Sequence, residues 1–388
     1  MKRLDLALFG RVYSFRQPRT YFNRDLSYEG FWSSSEKWED MPIETHFFAL
    51  LLLLVLPSVA PAVAQEAVPS TRTASNIHLD VVVTPRSGTP IPDLKQQDFA
   101  VLDNNVSRSI ASFHAVKGSE APVKIILLVD AVNTPYLRLA YARGEIDKFL
   151  RAKGGHLEHP LSLAIFTDTN TQIQNGFSTD GNALSKILDQ SAIGLRTIRR
   201  SSGIYGADER VQLSLETLRR LTALEAGQPG RKMILWVSPG WPLLSGPRID
   251  LGTKQEQRIF NEVVSLSVAL RQAQITLYSV DPIGAGESVL SNSYFYQGFL
   301  KGVTKPGDVQ LANLSLQVLA AQSGGLVLNG SNDIAGLLSR CVADTSAYYD
   351  LSFDPAPADH AKEYHHIEVK MADPGLTART RQGYYAQP

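Results

Sequence analysis

The feature that most constrains this chain is the run Val123-Lys-Ile-Ile-Leu-Leu-Val-Asp130, closed off by Pro122 before it and by Asn133, Thr134 and Pro135 after it. A stretch this short and this apolar predicts a strand over 123–130 that is covered on both faces, at the centre of a parallel sheet. Parallel neighbours need crossover connections, usually helical, so the strand demands an α/β architecture around it. In open sheets of that class ligands bind beyond the carboxyl ends of the strands, which places Asp130 at the crevice.

The following residues supply what such a sheet needs. Apolar runs at 161–166, 232–237, 275–280 and 325–328 predict further strands. Between them, Leu213, Leu215, Leu218, Leu221 and Leu224 mark one helix, and Ile259, Val263, Leu266 and Leu270 mark another over 254–271. The expected fold is a doubly wound, Rossmann-like α/β sheet with helices on both faces, spanning 119–345. An insertion at 282–310, rich in Gly, Ser and aromatics, follows the strand ending at Asp281 and is expected to be a surface loop at the same edge. The single cysteine, Cys341, lies in the helical pattern 333–343 and reads as a small buried residue. Asp168 and Asp281 close strands and read as turn or cap residues.

Short alternating segments flank this region: 77–84, 98–103 and 108–116 before it, then 347–353, 366–371 and 378–385 after it. Neither group buries a face alone, so the segments 77–118 and 346–388 are expected to pair into one small antiparallel, sandwich-like β domain. Asp98 and His114 read as surface or turn residues. His365 and His366 are adjacent on a strand, point to opposite faces and cannot chelate one ion together; a solvated strand is the expectation.

The amino-terminal part differs in kind. Residues 1–40 are aromatic and arginine-bearing without a clear period, and read as a leader or as sequence ahead of a true start at Met41. Residues 41–64 have an apolar core ending in Ala62-Val-Ala64, the pattern of a secretory signal peptide cleaved after Ala64, with 65–76 as a linker. Pro57 and Pro61 interrupt the apolar run, so no stable membrane span is expected after cleavage. No cysteine follows the run to carry a lipid. The expected location is secreted or periplasmic. Lys plus Arg and Asp plus Glu both number 38 in 388 residues, so no overall field favours nucleic acid.

The order of parts is recognisable in its motifs: Val82-Val-Thr84, Gly88-Thr-Pro90, Asp98-Phe99, the strand ending at Asp130, Gly230 to Gly240, Ser323-Gly-Gly325, Tyr348 to Phe353 and Gly383-Tyr-Tyr385. From about Asn76 to the end the chain resembles the von Willebrand factor A-related (VWFA-related acidobacterial) family of secreted bacterial proteins. The resemblance implies a von Willebrand A-like fold, whose members often hold a divalent cation at a metal-ion-dependent adhesion site. Carried onto this sequence, the metal residues are Asp130, Thr134 and Ser202. The motif is degenerate: Val132 offers no oxygen, and Pro239 stands where an acid is expected. The cofactor expectation is therefore none, or weakly bound Mg²⁺.

The functional expectation is an exported, non-enzymatic interaction protein that binds a protein or cell-envelope partner through the carboxyl edge, with Trp241, Tyr294 and Tyr296 as contact residues. The alternatives are a secreted hydrolase using Ser238 and a structural component of an envelope assembly. Ser238 lacks a Gly-x-Ser-x-Gly elbow, and no His-Glu-x-x-His occurs.

Overall fold

A computed structural model describes residues 76–86, 88–118, 123–191, 203–244, 251–284 and 292–387, all within the unit Thr71–Pro388. The leader, the signal peptide, almost all of the linker and Ser202 lie outside the described residues.

The central sheet is built from β5 (Lys124–Asp130), β6 (His156–Phe166), β7 (Thr171–Ile173), β8 (Ser178–Asp180), β9 (Lys232–Val237), β10 (Ile275–Val280) and β11 (Val327–Leu328). Its order is β11-β10-β9-β5-β6-β7, with β8 also pairing β6. All neighbours on the path are parallel except β7, which turns back antiparallel on β6. The first strand of the sheet therefore lies in its middle, and the chain order reverses between β5 and β9, the switch point where a crevice opens.

Among the described residues, six α-helices cover the two faces. In β5, Ile125, Leu127 and Val129 enter one core while Ile126 and Leu128 enter the other, as a period of two requires. The first core is covered by α1 (Tyr136–Arg151), α2 (Gly181–Gln190) and α6 (Ile334–Val342); the second is covered by α3 (Gly203–Glu225), α4 (Thr253–Gln272) and α5 (Leu316–Gln322). Cys341 is fully buried in α6, and burial pushes its thiol well above the usual range. No helix among the described residues is long and apolar enough to cross a membrane.

The flanking strands are β1 (Ile77–Pro85), β2 (Phe99–Asp103), β3 (Val106–Arg108), β4 (Ile110–Lys117), β12 (Ala347–Phe353), β13 (Tyr364–Met371), β14 (Leu376–Arg379) and β15 (Gly383–Tyr385). They form two four-stranded sheets, β14-β1-β12-β4 and β15-β13-β2-β3. Leu79, Val81, Val101, Leu351, Phe353 and Ile367 share the core between them. The segment expected as one strand over 378–385 is two, because the chain leaves one sheet after Arg379 and joins the other at Gly383.

Two expectations fail here. His365 is not solvated: it is buried, with Nδ1 2.9 Å from Asp103 Oδ1, while the Tyr384 hydroxyl donates to Asp103 Oδ2 at 2.9 Å. Asp103 reads as a turn residue beside Asn104, but its side chain lies on the inner face of β2 and needs these donors. The second failure is the insertion, where Val303 and Val309 are buried and the Tyr385 hydroxyl donates to the Val303 carbonyl at 3.0 Å. This part of the segment is packed down over α4 because its apolar residues find a covered site there.

The β domain and the parallel sheet meet at Arg231. Its guanidinium lies over the Tyr348 ring at 4.6 Å, donates to the Asp344 carbonyl at 3.1 Å, and has Nε 3.9 Å from Asp80. Asp344 in turn accepts from the Tyr278 hydroxyl at 2.6 Å and from Arg379.

A candidate binding edge at the end of the central strand

Asp130 continues the row of Ile126 and Leu128, so its carboxylate points to the face covered by α3. It is fully buried. Oδ1 accepts from the backbone N–H of Val132 at 2.9 Å and of Asn133 at 2.8 Å, while Oδ2 accepts from Asn133 Nδ2 at 2.9 Å, Trp236 Nε1 at 3.2 Å and Ser238 Oγ at 2.7 Å. The first pair is the turn an Asp makes with its own following backbone. The last two arrive from β9 because Trp236 lies on the same row and Ser238 follows the strand end. These five donors exceed the about four lone-pair directions of a carboxylate.

The surrounding loops are tied to this clamp. Gly240 donates its N–H to Ser238 Oγ at 3.0 Å. Its φ is +84°, and a Cβ there would lie 2.7 Å from Gln317 Nε2, so only glycine suits the position. Gln317, on α5, donates to the Pro239 carbonyl at 2.9 Å. On the other side Asn133 Nδ2 donates to Ser214 Oγ of α3 at 3.0 Å, and Ser214 Oγ donates to the Arg210 carbonyl at 2.7 Å.

The described residues, which do not include Ser202, do not by themselves fit a divalent ion of the Mg²⁺ kind, which needs about six oxygens in near-octahedral array. Asp130 has its acceptor capacity filled from within the chain. Val132 is apolar and fully buried, and Pro239 offers no side-chain oxygen. Thr134 is fully buried and its Oγ1 has no hydrogen-bond partner among the described residues. Asp281 Oδ1 accepts from the Ile283 N–H at 2.9 Å in a turn of its own. Among the described residues no group of three or more His, Cys, Asp or Glu is placed to hold a metal ion. Ser238, the residue proposed for a hydrolase, has its hydroxyl committed to Asp130.

The contact residues expected from sequence are placed differently. Trp241 is 2% exposed, donates its Nε1–H to the Leu314 carbonyl at 2.9 Å and sits with its ring 5.3 Å from that of Trp236. It is a core residue, because the 3₁₀ turn Leu311–Leu314 and α5 close over it. Tyr294 and Tyr296 are carried by the 3₁₀ segment Asn292–Phe299. Tyr296 is half-buried, and the Tyr294 side chain lies outside the described residues.

Instead, the edge exposes Tyr136 (64%) and Leu137 (79%) at the start of α1, and Tyr205 (80%) in the first turn of α3. The two helices lie on opposite faces of the sheet, so these residues flank the crevice on both sides. One signal was available in the sequence: the apolar stripe of α1 runs through Leu139, Ala142, Ile146 and Phe149, and Leu137 falls off it. Behind Tyr205, one turn before Ser214, lies Arg210. It is 9% exposed, and its Nη1 has no hydrogen-bond partner among the described residues. Burial pulls its guanidinium below the usual range, opposed by the negative charges of Asp130 and Glu209.

No protein-family model matches the chain, and none of the curated proteins matches it. Among solved structures it is similar to the human COPII-coat protein Sec24c, at 11% identity over 71% of this chain and 46% of that one, with a TM-score of 0.30. It is similar to the manganese-loaded TRAP protein of Plasmodium vivax at 10% identity, over 72% of this chain and all of that one (100%), with a TM-score of 0.30. For the SpRpn10 VWA domain the identity is 11%, the coverage 58% of this chain and 98% of that one, and the TM-score 0.26. The chain thus spans less than half the length of Sec24c. At TM-scores this low the likenesses carry no weight for the fold, which stands on its own strand order and register.

Proposed function

We propose that this chain is an exported, non-enzymatic interaction protein of the von Willebrand A-like kind, which binds a protein or cell-envelope partner through the carboxyl edge of its parallel sheet without a metal ion. The observation that carries the reading is the exposure of Tyr136, Leu137 and Tyr205 around the switch-point crevice. Large apolar side chains left open at one edge are suited to contact, since covering each contributes roughly 1.5–3 kcal/mol and tyrosine is favoured among contact anchors. The doubly wound strand order and the sequence motifs quoted above support the fold half of the reading. The apolar segment with its Ala62-Val-Ala64 ending supports export.

The test is site-specific photo-crosslinking in the native host. A photoreactive residue at position 137 or 205 is expected to capture one and the same polypeptide, and a residue at 153, beyond the far end of α1, is expected to capture none. Equal capture at all three positions, or none at 137 and 205, would count against the carboxyl edge as the binding face.

A further inference from the structure

We propose that the β domain takes up an extended segment of a protein partner as an added strand, in the groove between β13 and β14. This surface is separate from the carboxyl edge of the parallel sheet, and the inference does not rest on the reading above.

Over its second half β13 is paired on one side only. Asn104 donates its N–H to the His366 carbonyl at 2.8 Å, and Ala372 donates to the Asp98 carbonyl at 2.9 Å, so the even-numbered residues of β13 turn their backbone groups toward β2. By alternation Ile367, Val369 and Met371 turn theirs the other way. Ile367 meets Gln382 there and donates to its carbonyl at 2.9 Å, but Gln382 gives its own N–H to the Gln322 carbonyl at 3.1 Å. β15 pairs only residues 364–366, and among the described residues no strand continues along Val369 and Met371. β14 is in the same position, since it pairs residues 82–85 of β1 and no other described strand. An open strand edge is a template for another chain.

Both open edges line one groove of about 1120 Å³, walled elsewhere by Leu300, Lys301 and Gly302. That is more than the roughly 300–1,000 Å³ of small-molecule sites, and suits a length of polypeptide. The side chains fit the same occupant. Val369, Met371, Leu376 and Ala378 pack, half-buried, against the core shared by the two small sheets. A strand laid between them turns every second residue toward that core, so its alternate residues must be apolar. The backbone ladder then supplies affinity and the apolar positions supply selectivity. Charge has the lesser part, because Lys370 lies 3.5 Å from Glu368 and Arg379 is paired with Asp344. The chain's own residues 65–75 suit the groove poorly: Ala67 and Val68 are adjacent, and Pro69 follows them.

The experiment uses the full chain, panned against a displayed library of linear nonapeptides. The strongest binder is synthesised as selected and with its central backbone amide N-methylated, and deuterium uptake of the chain is followed with and without it. The expected result is enrichment of apolar residues at every second position, slower uptake within 366–380, and a loss of at least about tenfold on N-methylation. Val369→Pro removes the N–H that faces the groove and none that faces β2, and is expected to lose as much.

Slower uptake confined to 136–137 and 203–206 would place the peptide at the carboxyl edge, overturning the strand proposal while supporting the reading above. Unchanged affinity on N-methylation, or no enrichment above the bare support, also overturns it. A peptide of residues 65–75 that binds as tightly, or the same protection on concentrating the chain alone, would assign the groove to the chain itself or to a second copy and overturn the partner. The N-methylated peptide requires no change in the protein, so the test stands even if Val369→Pro disturbs folding.

Discussion

Replacing Asp130 with alanine is expected to lower the unfolding free energy by about 3–5 kcal/mol. The loss comes from the donors it leaves behind. Backbone N–H groups of Val132 and Asn133, the Asn133 amide, the Trp236 indole and the Ser238 hydroxyl all point at a carboxylate that no water reaches. Orphaned buried donors cost about 1–3 kcal/mol each before the structure relaxes, and relaxation recovers part of that sum. Ser238→Ala removes only one of the donors and should cost about 1 kcal/mol. Urea unfolding of the three proteins measures the series. If Asp130→Ala cost no more than Ser238→Ala, the carboxylate would not be the clamp that joins β5, β9 and α3.

Arg231→Met is expected to cost about 1–3 kcal/mol, because it removes the donor to the buried Asp344 carbonyl and the cover over the Tyr348 ring, and leaves the half-buried Asp80 facing an apolar side chain. Its signature is in the pH dependence. Burial raises the pKa of Asp80 above its ordinary value, and Arg231 pulls it down. A carboxyl raised in the folded state penalises folding once it ionises, so that penalty is absent below the unfolded pKa of about 3.9 and grows as pH rises through the folded value. Without Arg231 the penalty is larger. The deficit of the variant relative to the native chain should therefore be greatest near neutral pH and shrink toward about pH 4. A deficit that stays constant across that range would mean that Arg231 acts only through the Tyr348 ring and the Asp344 carbonyl.

What could be read from sequence was the part governed by short-range periodicity. Strands at 232–237, 275–280 and 347–353 are found where the apolar runs placed them, since a strand covered on both faces or alternating between them announces itself in a few residues. Asp130 at the crevice followed from the same logic. What could not be read depends on cover supplied from far along the chain. Trp241 is an exposed anchor or a core residue according to whether α5 folds over it, some 75 residues later, and nothing around it in sequence decides that. His365 is buried because Asp103 and Tyr384 meet it from two other strands. Arg210 was passed over because an arginine beside a helical apolar stripe ordinarily snorkels to water; here it is 9% exposed.

The saturated carboxylate is the central claim, and a calorimetric titration of the full chain with Mg²⁺, Mn²⁺ and Ca²⁺, beside the Asp130→Asn variant, tests it most directly. The clamp predicts no saturable heat at millimolar cation and no change of melting temperature in EDTA. Saturable binding to the native chain that vanishes in the variant would contradict it, and would return Asp130 to the role of a metal ligand.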